Sequence, residues 1–570
     1  MPFHKLFCSD AVLLRGVIGR FCVSRTSSSS GQLPVILLPR RAQEIQKGQW
    51  KKGRSEHVIT PRAGKLLIQS RRPQFNQSAG EVWGKWESPE LVSGGWKNRQ
   101  SSGDYFTIQR LHKEGPGPDS DRSFSSLGLE DRLVSSLNEM GLSSPTWVQN
   151  ETIPVLLRGH NLLCAAETGS GKTLAYLLPV VHRLLTSEAT SKQRDHHAYS
   201  YDNVMPDLPP LANKTHLRPS HLVTSNNFPD PCNLILVPSR ELANQVSSVA
   251  RKLCAQLGLT VSSIGGGRGR GSVDKQLRRG PIDILIATPG ALWKALRRDT
   301  LSLECLNYIV LDEADTLFDE SFSELVEDIL NHTRIASRKS EIRGPEKKAQ
   351  LAVIGATFPG GVGQVLGKVT DLGSITTIKS KKLHFLMSHV QQTFLKVKGA
   401  DKVAELLQLL KKQAVDSPGA GVLIFCNSSS TVNWLGYILD DHGINHTRLQ
   451  GQMPAAMRVG IFETFLKGKT DVLVCTDIAS RGLDSKRVEV VVNYDFPATL
   501  QDYLHRVGRV GRVGSEKMGN VLSFVTHAWD VELVQKIETA ARKRSGLPGM
   551  ASTIKEPVPQ ESLLKEELEH

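Results

Sequence analysis

The sequence has no uninterrupted run of 18 or more apolar residues, which is the length that a helix needs to cross a membrane. We therefore expect no integral membrane segment. Aromatic residues make up only 6% of the chain, whereas the apolar fraction of 39% is enough for sizeable hydrophobic cores. A chain of 570 residues is expected to form two to four domains.

Paired cysteines are also missing. No two of the eight cysteines are spaced as Cys-x-x-Cys, so the sequence does not support a zinc site or a disulfide framework. Several lie within apolar, strand-like runs, and we predict that these are small buried hydrophobic residues in a reducing compartment. The eight are Cys8, Cys22, Cys164, Cys232, Cys254, Cys305, Cys426 and Cys475.

Acidic residues are scarce near the N-terminus. Residues 1–115 hold 19 Lys and Arg against 8 Asp and Glu, so most of the formal net charge of +14 lies there. The first 43 residues are rich in arginine and serine and amphipathic, which is typical of a mitochondrial transit peptide. We predict a transit peptide over residues 1–45, with a disordered basic tail as the alternative. A basic extension over 46–120 follows, and its tryptophans could stack on RNA bases or pack against a neighbouring domain.

A glycine-rich segment follows an apolar, strand-like run at 162–166 and precedes a helical pattern that begins at 174. This order predicts a phosphate-binding loop, because glycines permit a tight turn and a helix N-terminus favours anions. Lys172 would reach the β- and γ-phosphates, and the Thr173 hydroxyl would bind Mg²⁺. The predicted loop consists of Ala166, Glu167, Thr168, Gly169, Ser170, Gly171, Lys172 and Thr173.

Two carboxylates follow another apolar run at 308–311. In a parallel sheet, ligands bind at the carboxyl ends of the strands. Asp312 is therefore predicted to hold Mg²⁺, and Glu313 to polarise the attacking water. Together with the phosphate loop, these residues predict hydrolysis of a nucleoside triphosphate.

Strand-like and helical patterns alternate from residue 124 onward, which predicts an α/β fold with doubly wound parallel sheets. We place a first domain at 121–380, a second at 385–540 and a tail at 541–570. Residues 187–231 lose this periodicity and are predicted to be a surface insertion that is mostly disordered. The strand candidates are 234–237, 282–286, 308–311, 351–354, 422–426, 472–475, 488–492 and 521–525.

The motifs and their order resemble the DEAD-box ATP-dependent RNA helicases over roughly residues 124–526. Phe124 and Gln149 are similar to residues of that family's adenine-reading Q motif, here at 124–152. The resemblance implies two tandem RecA-like domains, ATP and Mg²⁺ as cofactors, and RNA bound across both domains. The residues it implies for RNA binding are Pro238, Arg240, Gly265, Gly266, Thr288, Pro289, Gly290, Arg458 and Thr476. Those it implies for coupling the two sites are Asp315, Gly355, Ala356, Thr357 and His505.

The second domain is implied to complete the nucleotide site. Arg509 and Arg512 resemble arginine fingers, and Gly482 and Asp484 lie in a motif that contacts ATP and RNA. Fingers on the second domain reach the γ-phosphate only when the cleft closes, so RNA that favours closure would favour hydrolysis. In the first domain, the Gln149 amide has both a donor and an acceptor, which can read adenine and exclude guanine.

Four positions depart from the family pattern. Leu142 stands where an aromatic residue usually packs on adenine, which predicts weaker stacking. Gly355 replaces a serine and lacks its hydroxyl contact. Gln450 and Ala455 replace a common histidine and glutamine, which predicts looser RNA contacts in the second domain.

The chain most resembles vertebrate mitochondrial members of the family that are associated with assembly of the large mitochondrial ribosomal subunit. We expect a monomeric, RNA-stimulated ATPase that unwinds or remodels structured ribosomal RNA, with ribosome-assembly proteins as further partners. The expected location is the mitochondrial matrix or its RNA granules, with the nucleus or nucleolus as the alternative. An ATP-gated RNA clamp with little unwinding is the alternative function.

Overall fold

The computed structural model describes residues 65–110 except 82 and 85, 123–198, 230–266, 277, 281–319, 321–343, 347–358, 362–453, 455–477, 487–511 and 519–550. These residues form two parallel-sheet α/β domains. The N-terminal extension supplies three strands: β1 Leu66–Ser70, β2 Gln77–Ser78 and β3 Tyr105–Ile108.

The first domain is built on a seven-stranded parallel sheet. Its strands are β4 Asn161–Ala165, β5 Asn233–Leu236, β6 Val261–Ile264, β7 Ile284–Ala287, β8 Tyr308–Leu311, β9 Gln350–Gly355 and β10 Ile375–Lys379. Their order across the sheet is β10-β4-β9-β8-β5-β7-β6. The phosphate loop follows β4 and the carboxylates follow β8, so the two segments are separated only by β9 at the carboxyl edge.

The second domain has its own sheet. Its parallel strands are β11 Gln391–Lys396, β12 Gly421–Phe425, β13 His446–Leu449, β14 Val472–Cys475, β15 Val488–Asn493 and β16 Asn520–Val525. The order of the complete nine-stranded sheet is β13-β14-β12-β15-β16-β11-β3-β1-β2, with the last three strands antiparallel.

Helices cover both sheets. In the first domain they are α1 Asp131–Glu139, α2 Trp147–Leu157, α3 Lys172–Ala198, α4 Arg240–Cys254, α5 Pro289–Leu296, α6 Ala314–Leu317, α7 Ser323–Asn331, α8 Lys339–Arg343 and α9 Val362–Val369. In the second they are α10 Lys402–Asp416, α11 Ser429–Asp441, α12 Ala455–Leu466, α13 Leu500–Val507 and α14 Ala528–Lys543. Short 3₁₀ turns lie at Pro73–Phe75, Val92–Gly95, Arg99–Ser101, Phe124–Leu127, Leu372–Ser374 and Gly399–Asp401.

Each sheet has a hydrophobic cluster on both faces. Successive side chains of a strand point to opposite sides, so each strand contributes to both clusters. In β4, Leu162 and Cys164 join one hydrophobic cluster, whereas Leu163 and Ala165 join the cluster on the other face. β12 divides in the same way between two further clusters. The predicted doubly wound architecture of both domains is confirmed.

The extension packs against the second domain. β3 pairs with β11, and Trp96 is completely buried, with its ring 5.6 Å from that of Phe106. The Trp96 Nε1 donates to Asp104 Oδ2 at 2.9 Å, and Arg72 pairs with the same carboxylate. Of the two predicted roles for the tryptophans, Trp96 therefore packs against a neighbouring domain and is not available to stack on RNA bases. The second domain takes in residues 66–108, which the predicted range of 385–540 left out.

Two predicted boundaries need correction. Helix α3 continues to Ala198, so the first 12 residues of the insertion predicted at 187–231 are helical, and 199–229 lie outside the described residues. Helix α14 runs to Lys543, beyond the predicted start of the tail at 541. Residues 187–198 and 541–543 are polar, so the apolar pattern did not indicate that they are helical, although they contain good helix formers. Among the described residues, no helix is both long and apolar enough to cross a bilayer.

Candidate functional site

The phosphate loop joins β4 to α3. Gly169 and Gly171 have φ angles of 79° and 91°, in the left-handed region that glycine adopts without strain. The Lys172 ammonium group donates to the backbone carbonyls of Ala166 at 2.8 Å and Glu167 at 3.1 Å. The lysine therefore lies across its own loop, close to where phosphates would be cradled.

Gln149 joins the Q motif to this loop. It is the third residue of helix α2, where its Oε1 accepts from the Thr146 backbone N–H at 2.9 Å in a capping box. Its Nε2 donates to the Gly171 carbonyl at 3.0 Å. One amide hydrogen and one lone pair remain for an adenine edge. The glutamine thus holds the loop in addition to its predicted reading of the base.

The two apolar positions of the Q motif face inward. Phe124, a predicted cofactor-binding residue, is only 3% exposed and packs in the hydrophobic cluster of the first domain. Leu142 is half-buried against the same cluster. The structure therefore places Phe124 among the core side chains and gives it little surface for a nucleotide.

Asp312 is a buried carboxylate at the end of β8. Its Oδ2 accepts from the Tyr176 hydroxyl at 2.7 Å and its Oδ1 from the Glu313 backbone N–H at 2.9 Å. Burial, reinforced by the neighbouring Glu313 charge, raises the pKa of Asp312 to about 6. Glu313 has a φ of 52°, an uncommon conformation for a residue with a side chain, and this kind of backbone strain clusters at functional sites.

The two domains meet at His505, Asp315 and Thr357. The His505 Nε2 lies 3.0 Å from Asp315 Oδ2, to which the Thr357 hydroxyl also donates at 3.4 Å. Burial alone lowers the pKa of His505, but the nearby carboxylates of Asp315 and Glu313 together outweigh burial, so the pKa is raised. Three of the five predicted coupling residues are thus in one contact.

The second domain also touches the phosphate loop. A Cβ atom placed on Gly508 would overlap the Thr168 side chain, so these two residues are in close contact. Arg509 follows directly and is only 5% exposed, and its Nε donates to the His505 carbonyl at 3.1 Å. The cleft is therefore closed, with a predicted arginine finger next to the loop.

Gly355 and Ala356 are the other predicted coupling residues. They lie at the end of β9, where this strand approaches the phosphate loop closely. The Gly355 carbonyl accepts from the Ala166 backbone N–H at 3.1 Å. A Cβ atom at Gly355 would lie 2.9 Å from the Thr357 carbonyl oxygen. Ala356 is buried beside it. The surrounding atoms therefore leave no room for a side chain at position 355, which explains why glycine stands where the family usually has serine.

Several predicted RNA-binding residues of the first domain lie at the carboxyl ends of neighbouring strands. Arg240 donates to the Gly266 carbonyl at 3.3 Å and packs against Gly265. Thr288 occupies the N-cap position of α5, Pro289 and Gly290 begin the helix, and Gly290 is exposed. Pro238 lies just before α4 and is half-buried.

The predicted RNA-binding residues of the second domain lie on α12 and after β14. Arg458 on α12 reaches Glu241 of the first domain, with 4.0 Å between the charged atoms. Thr476 is buried directly after β14, and its backbone N–H donates to the Leu449 carbonyl. Gln450 is buried and accepts from the Gln452 backbone N–H. The Ala455 side chain, Gly482, Asp484 and Arg512 lie outside the described residues.

Sequence reasoning missed Arg506, which is only 1% exposed. Its guanidinium donates to both carboxylate oxygens of Asp477, to Asn427 Oδ1 and to the Asp495 carbonyl. It thereby ties together the ends of β12, β14 and β15. It was overlooked because it lies in the same short motif as Arg509 and nothing in the spacing separates their roles. Tyr176 was missed as well, because it reads as an ordinary helical core residue.

Of the six cysteines in the described parts of the chain, four are buried, one is half-buried and one is exposed. Cys164, Cys254, Cys426 and Cys475 are buried and free. Burial raises the pKa of the Cys254 thiol to about 12. These four cysteines are therefore inert core residues.

Comparison with known proteins agrees with this geometry. The family model described as DEAD/DEAH box helicase matches residues 146–365, and the helicase conserved C-terminal domain matches residues 401–514. The chain is 54% identical over 545 residues to the Mus musculus protein named "Probable ATP-dependent RNA helicase DDX28", covering 94% of this chain and 95% of the mouse protein. It is 53% identical over 539 residues to the Homo sapiens protein of that name, covering 93% and 94% of the two chains.

Two solved structures share the two-domain fold. S. cerevisiae Dbp5 bound to RNA and ADP BeF3 has a TM-score of 0.55 at 23% identity, covering 78% of this chain and 98% of that chain. The DEAD-box helicase Mss116 bound to ssRNA and UDP-BeF has a TM-score of 0.59 at 21% identity, covering 79% and 83%. The fold, the motifs and the relatives agree, and the chain belongs to the DEAD-box family of ATP-dependent RNA helicases, which couple RNA binding to ATP hydrolysis.

Proposed function

We propose that this chain closes its cleft on ATP and RNA together and uses the resulting hydrolysis to unwind or remodel short stretches of structured RNA. The observation that supports the proposal most is the contact of His505 with Asp315 at 3.0 Å. Asp315 is three residues from Asp312 in the nucleotide site, and His505 is on the helix that precedes Arg509. Closure therefore brings the predicted catalytic groups of both domains together.

Each group has a defined task in this proposal. Lys172 would exchange its contacts with the loop carbonyls for the β- and γ-phosphates. Glu313 would orient and deprotonate the attacking water. Arg509, together with Arg512, would stabilise the charge that develops on the transferred phosphoryl group, and Gln149 would select adenine.

The donor set of the first domain fits Mg²⁺. Asp312 and Thr173 offer a carboxylate and a hydroxyl oxygen, which are the ligands that this hard cation prefers. Burial and the neighbouring Glu313 charge raise the pKa of Asp312, and a divalent cation beside it would offset the cost of ionising this carboxylate. No group of three or more His, Cys, Asp or Glu in the described parts of the chain could hold a metal by itself. Asp312 and Thr173 would hold the cation, which would neutralise charge on the phosphates.

RNA would lie across Arg240, Gly266 and Gly290 of the first domain and Arg458 and Thr476 of the second. These positions offer charges, hydroxyls and backbone N–H groups, which suit phosphates and carry no sequence information. The interdomain approach of Arg458 to Glu241 supports a surface that is continuous only in the closed state. RNA that binds both halves would therefore stabilise closure and accelerate hydrolysis.

The proposal is tested by ATP turnover of the purified chain with and without a short RNA duplex. Lys172→Ala and Glu313→Gln are expected to lose turnover. If Glu313→Gln hydrolysed ATP at the wild-type rate, the catalytic assignment would be wrong. Strand displacement on the same duplex separates a helicase from an ATP-gated clamp, because a clamp binds RNA with ATP but does not displace the strand.

We further propose that the chain acts on ribosomal RNA during assembly of the large mitochondrial ribosomal subunit, as a monomer and with assembly proteins as partners. The arginine-rich, acid-poor leader at 1–45 supports mitochondrial import. A fusion of residues 1–45 to a reporter is expected to enter the matrix, and a reporter that stays in the cytosol or enters the nucleus would contradict this. Crosslinking and sequencing the bound RNA in cells would identify the substrate.

A further inference from the structure

Tyr176 contacts one of the two proposed Mg²⁺ ligands, Asp312, and lies one helical turn from the other, Thr173. Tyr176 is on α3, three residues after Thr173, so the two side chains share one face of the helix. Its ring is completely buried, and its hydroxyl donates to Asp312 Oδ2 at 2.7 Å. One buried hydroxyl of the helix that follows the phosphate loop is thus bonded to the carboxylate after β8.

This connection fixes the Asp312 carboxylate in one orientation. The tyrosine holds Oδ2, and the Glu313 backbone N–H holds Oδ1 at 2.9 Å. Each carboxylate oxygen keeps a further lone pair for a cation. Partners of this kind orient metal ligands and change metal affinity when they are removed.

We propose that Tyr176 is a positioning residue that preorganises Asp312 to receive the Mg²⁺ that accompanies ATP. The inference rests on the proposed function, in which Asp312 and Thr173 hold the metal. Tyr176 does not contact the substrate in this account. It acts through its hydroxyl alone, since a phenylalanine would fill the same space in the core.

The test compares Tyr176→Phe with Tyr308→Phe in the full chain. Tyr308 is a second buried tyrosine of the same domain, and its hydroxyl donates to the Leu156 carbonyl at 3.3 Å, at the opposite end of β8. Mn²⁺ binding is measured by electron paramagnetic resonance in the presence of AMP-PNP. Binding of a fluorescent AMP-PNP derivative is measured in EDTA.

Tyr176→Phe is expected to weaken Mn²⁺ binding about ten- to a hundredfold, the usual change when a partner that orients a metal ligand is removed. Nucleotide affinity in EDTA should stay at the wild-type value, and Tyr308→Phe should match the wild type in both assays. Mn²⁺ affinity of Tyr176→Phe equal to that of the wild type would overturn the inference.

Melting curves keep the test valid if Tyr176→Phe is less stable. The quantity to compare is the further rise in melting temperature when Mn²⁺ is added to the protein with AMP-PNP. This rise should be smaller in Tyr176→Phe than in Tyr308→Phe, and equal rises would overturn the inference. A wild-type chain whose nucleotide affinity did not respond to Mn²⁺ would overturn the proposed metal site itself. The wild-type titration therefore separates the two failures.

Discussion

The His505 imidazole of the second domain lies 3.0 Å from the Asp315 carboxylate of the first, in a contact that both domains bury. Asp315 belongs to the acidic segment that supplies Asp312 and Glu313, and His505 lies one helical turn before Arg509, whose Nε donates back to the His505 carbonyl. Any movement that opens the cleft breaks this contact. The pair therefore reports directly on closure.

Closure is predicted to weaken as the pH rises. Burial is the largest single influence and lowers the pKa of His505, but the carboxylates of Asp315 and Glu313 together outweigh it, so the folded protein holds this proton more tightly than an exposed histidine does. The stabilising contribution is full below the ordinary histidine pKa and is lost as the pH rises through the higher, folded value. Glu313 favours and Arg509 opposes the charged form in the same contact.

The measurement is RNA affinity in the presence of AMP-PNP between about pH 6.5 and about pH 9, a range that begins at the ordinary histidine pKa. We expect the wild type to lose affinity by several-fold across this range. His505→Gln should start with lower affinity and lack this component of the pH dependence. Identical pH profiles for the two proteins would contradict the assignment.

Gly508→Ala should prevent full closure. The added Cβ would collide with the Thr168 side chain of the phosphate loop. We expect ATP binding to be retained, whereas RNA-stimulated turnover falls at least tenfold, because the arginine fingers no longer reach the nucleotide. Gly460→Ala is the control, since a Cβ there meets nothing within 4 Å. Turnover of Gly508→Ala at the wild-type level would show that this contact is not needed for catalysis.

Restoring the common serine at Gly355 should harm the protein. Its Cβ would lie 2.9 Å from the Thr357 carbonyl oxygen and 3.3 Å from the Phe358 ring. We expect Gly355→Ser to lower the free energy of unfolding by about 1–3 kcal/mol, which is typical of overpacking in a core. Urea denaturation measures this change. A variant with wild-type stability and higher RNA-stimulated turnover would mean that the missing hydroxyl is a defect in coupling.

The extension should be needed for the stability of the second domain. Glu538 on α14 is completely buried and accepts from the backbone N–H groups of Val92 and Ser93 while it pairs with Arg542 at 2.8 Å. Glu538→Ala is expected to lower the free energy of unfolding by about 3–5 kcal/mol, because it leaves a buried arginine without its partner. Urea denaturation followed by tryptophan fluorescence gives the value.

The exposed Glu532, on the same helix, is the matched control. It pairs with Lys97 of the extension at 2.9 Å, but both side chains face solvent. Glu532→Ala should leave the unfolding midpoint close to that of the wild type, because water screens surface ion pairs. Equal effects of the two substitutions would show that the buried carboxylate does not fasten the extension.

The sequence was sufficient to predict the strands that carry the site, because strands buried on both faces read as continuous apolar runs. β8 and β14 have the predicted bounds, and other predicted strands shift by one or two residues. It could not predict β1 to β3. The pairing of β3 with β11 joins residues almost 300 positions apart, and neither periodicity nor composition encodes the partner of a short strand.

The site also contains residues that the sequence could predict and residues that it could not. Motif spacing identified Lys172 and Asp312, because each follows a buried strand at the carboxyl edge. It did not reveal Tyr176 or Arg506, whose importance comes from atoms brought together by the fold. The sequence assigned Gln149 only to adenine recognition. Its capping of α2 and its bond to Gly171 are contacts that become visible in the folded chain.

The central claim is that RNA and ATP close the cleft and that closure completes the catalytic site. Its most direct measurement is the ATP turnover of the wild type and of Arg509→Ala, each with and without saturating single-stranded RNA. The account predicts that RNA stimulates the wild type strongly, and that Arg509→Ala still binds ATP but loses the stimulation. Turnover of the wild type that RNA leaves unchanged, or full stimulation of Arg509→Ala, would contradict it.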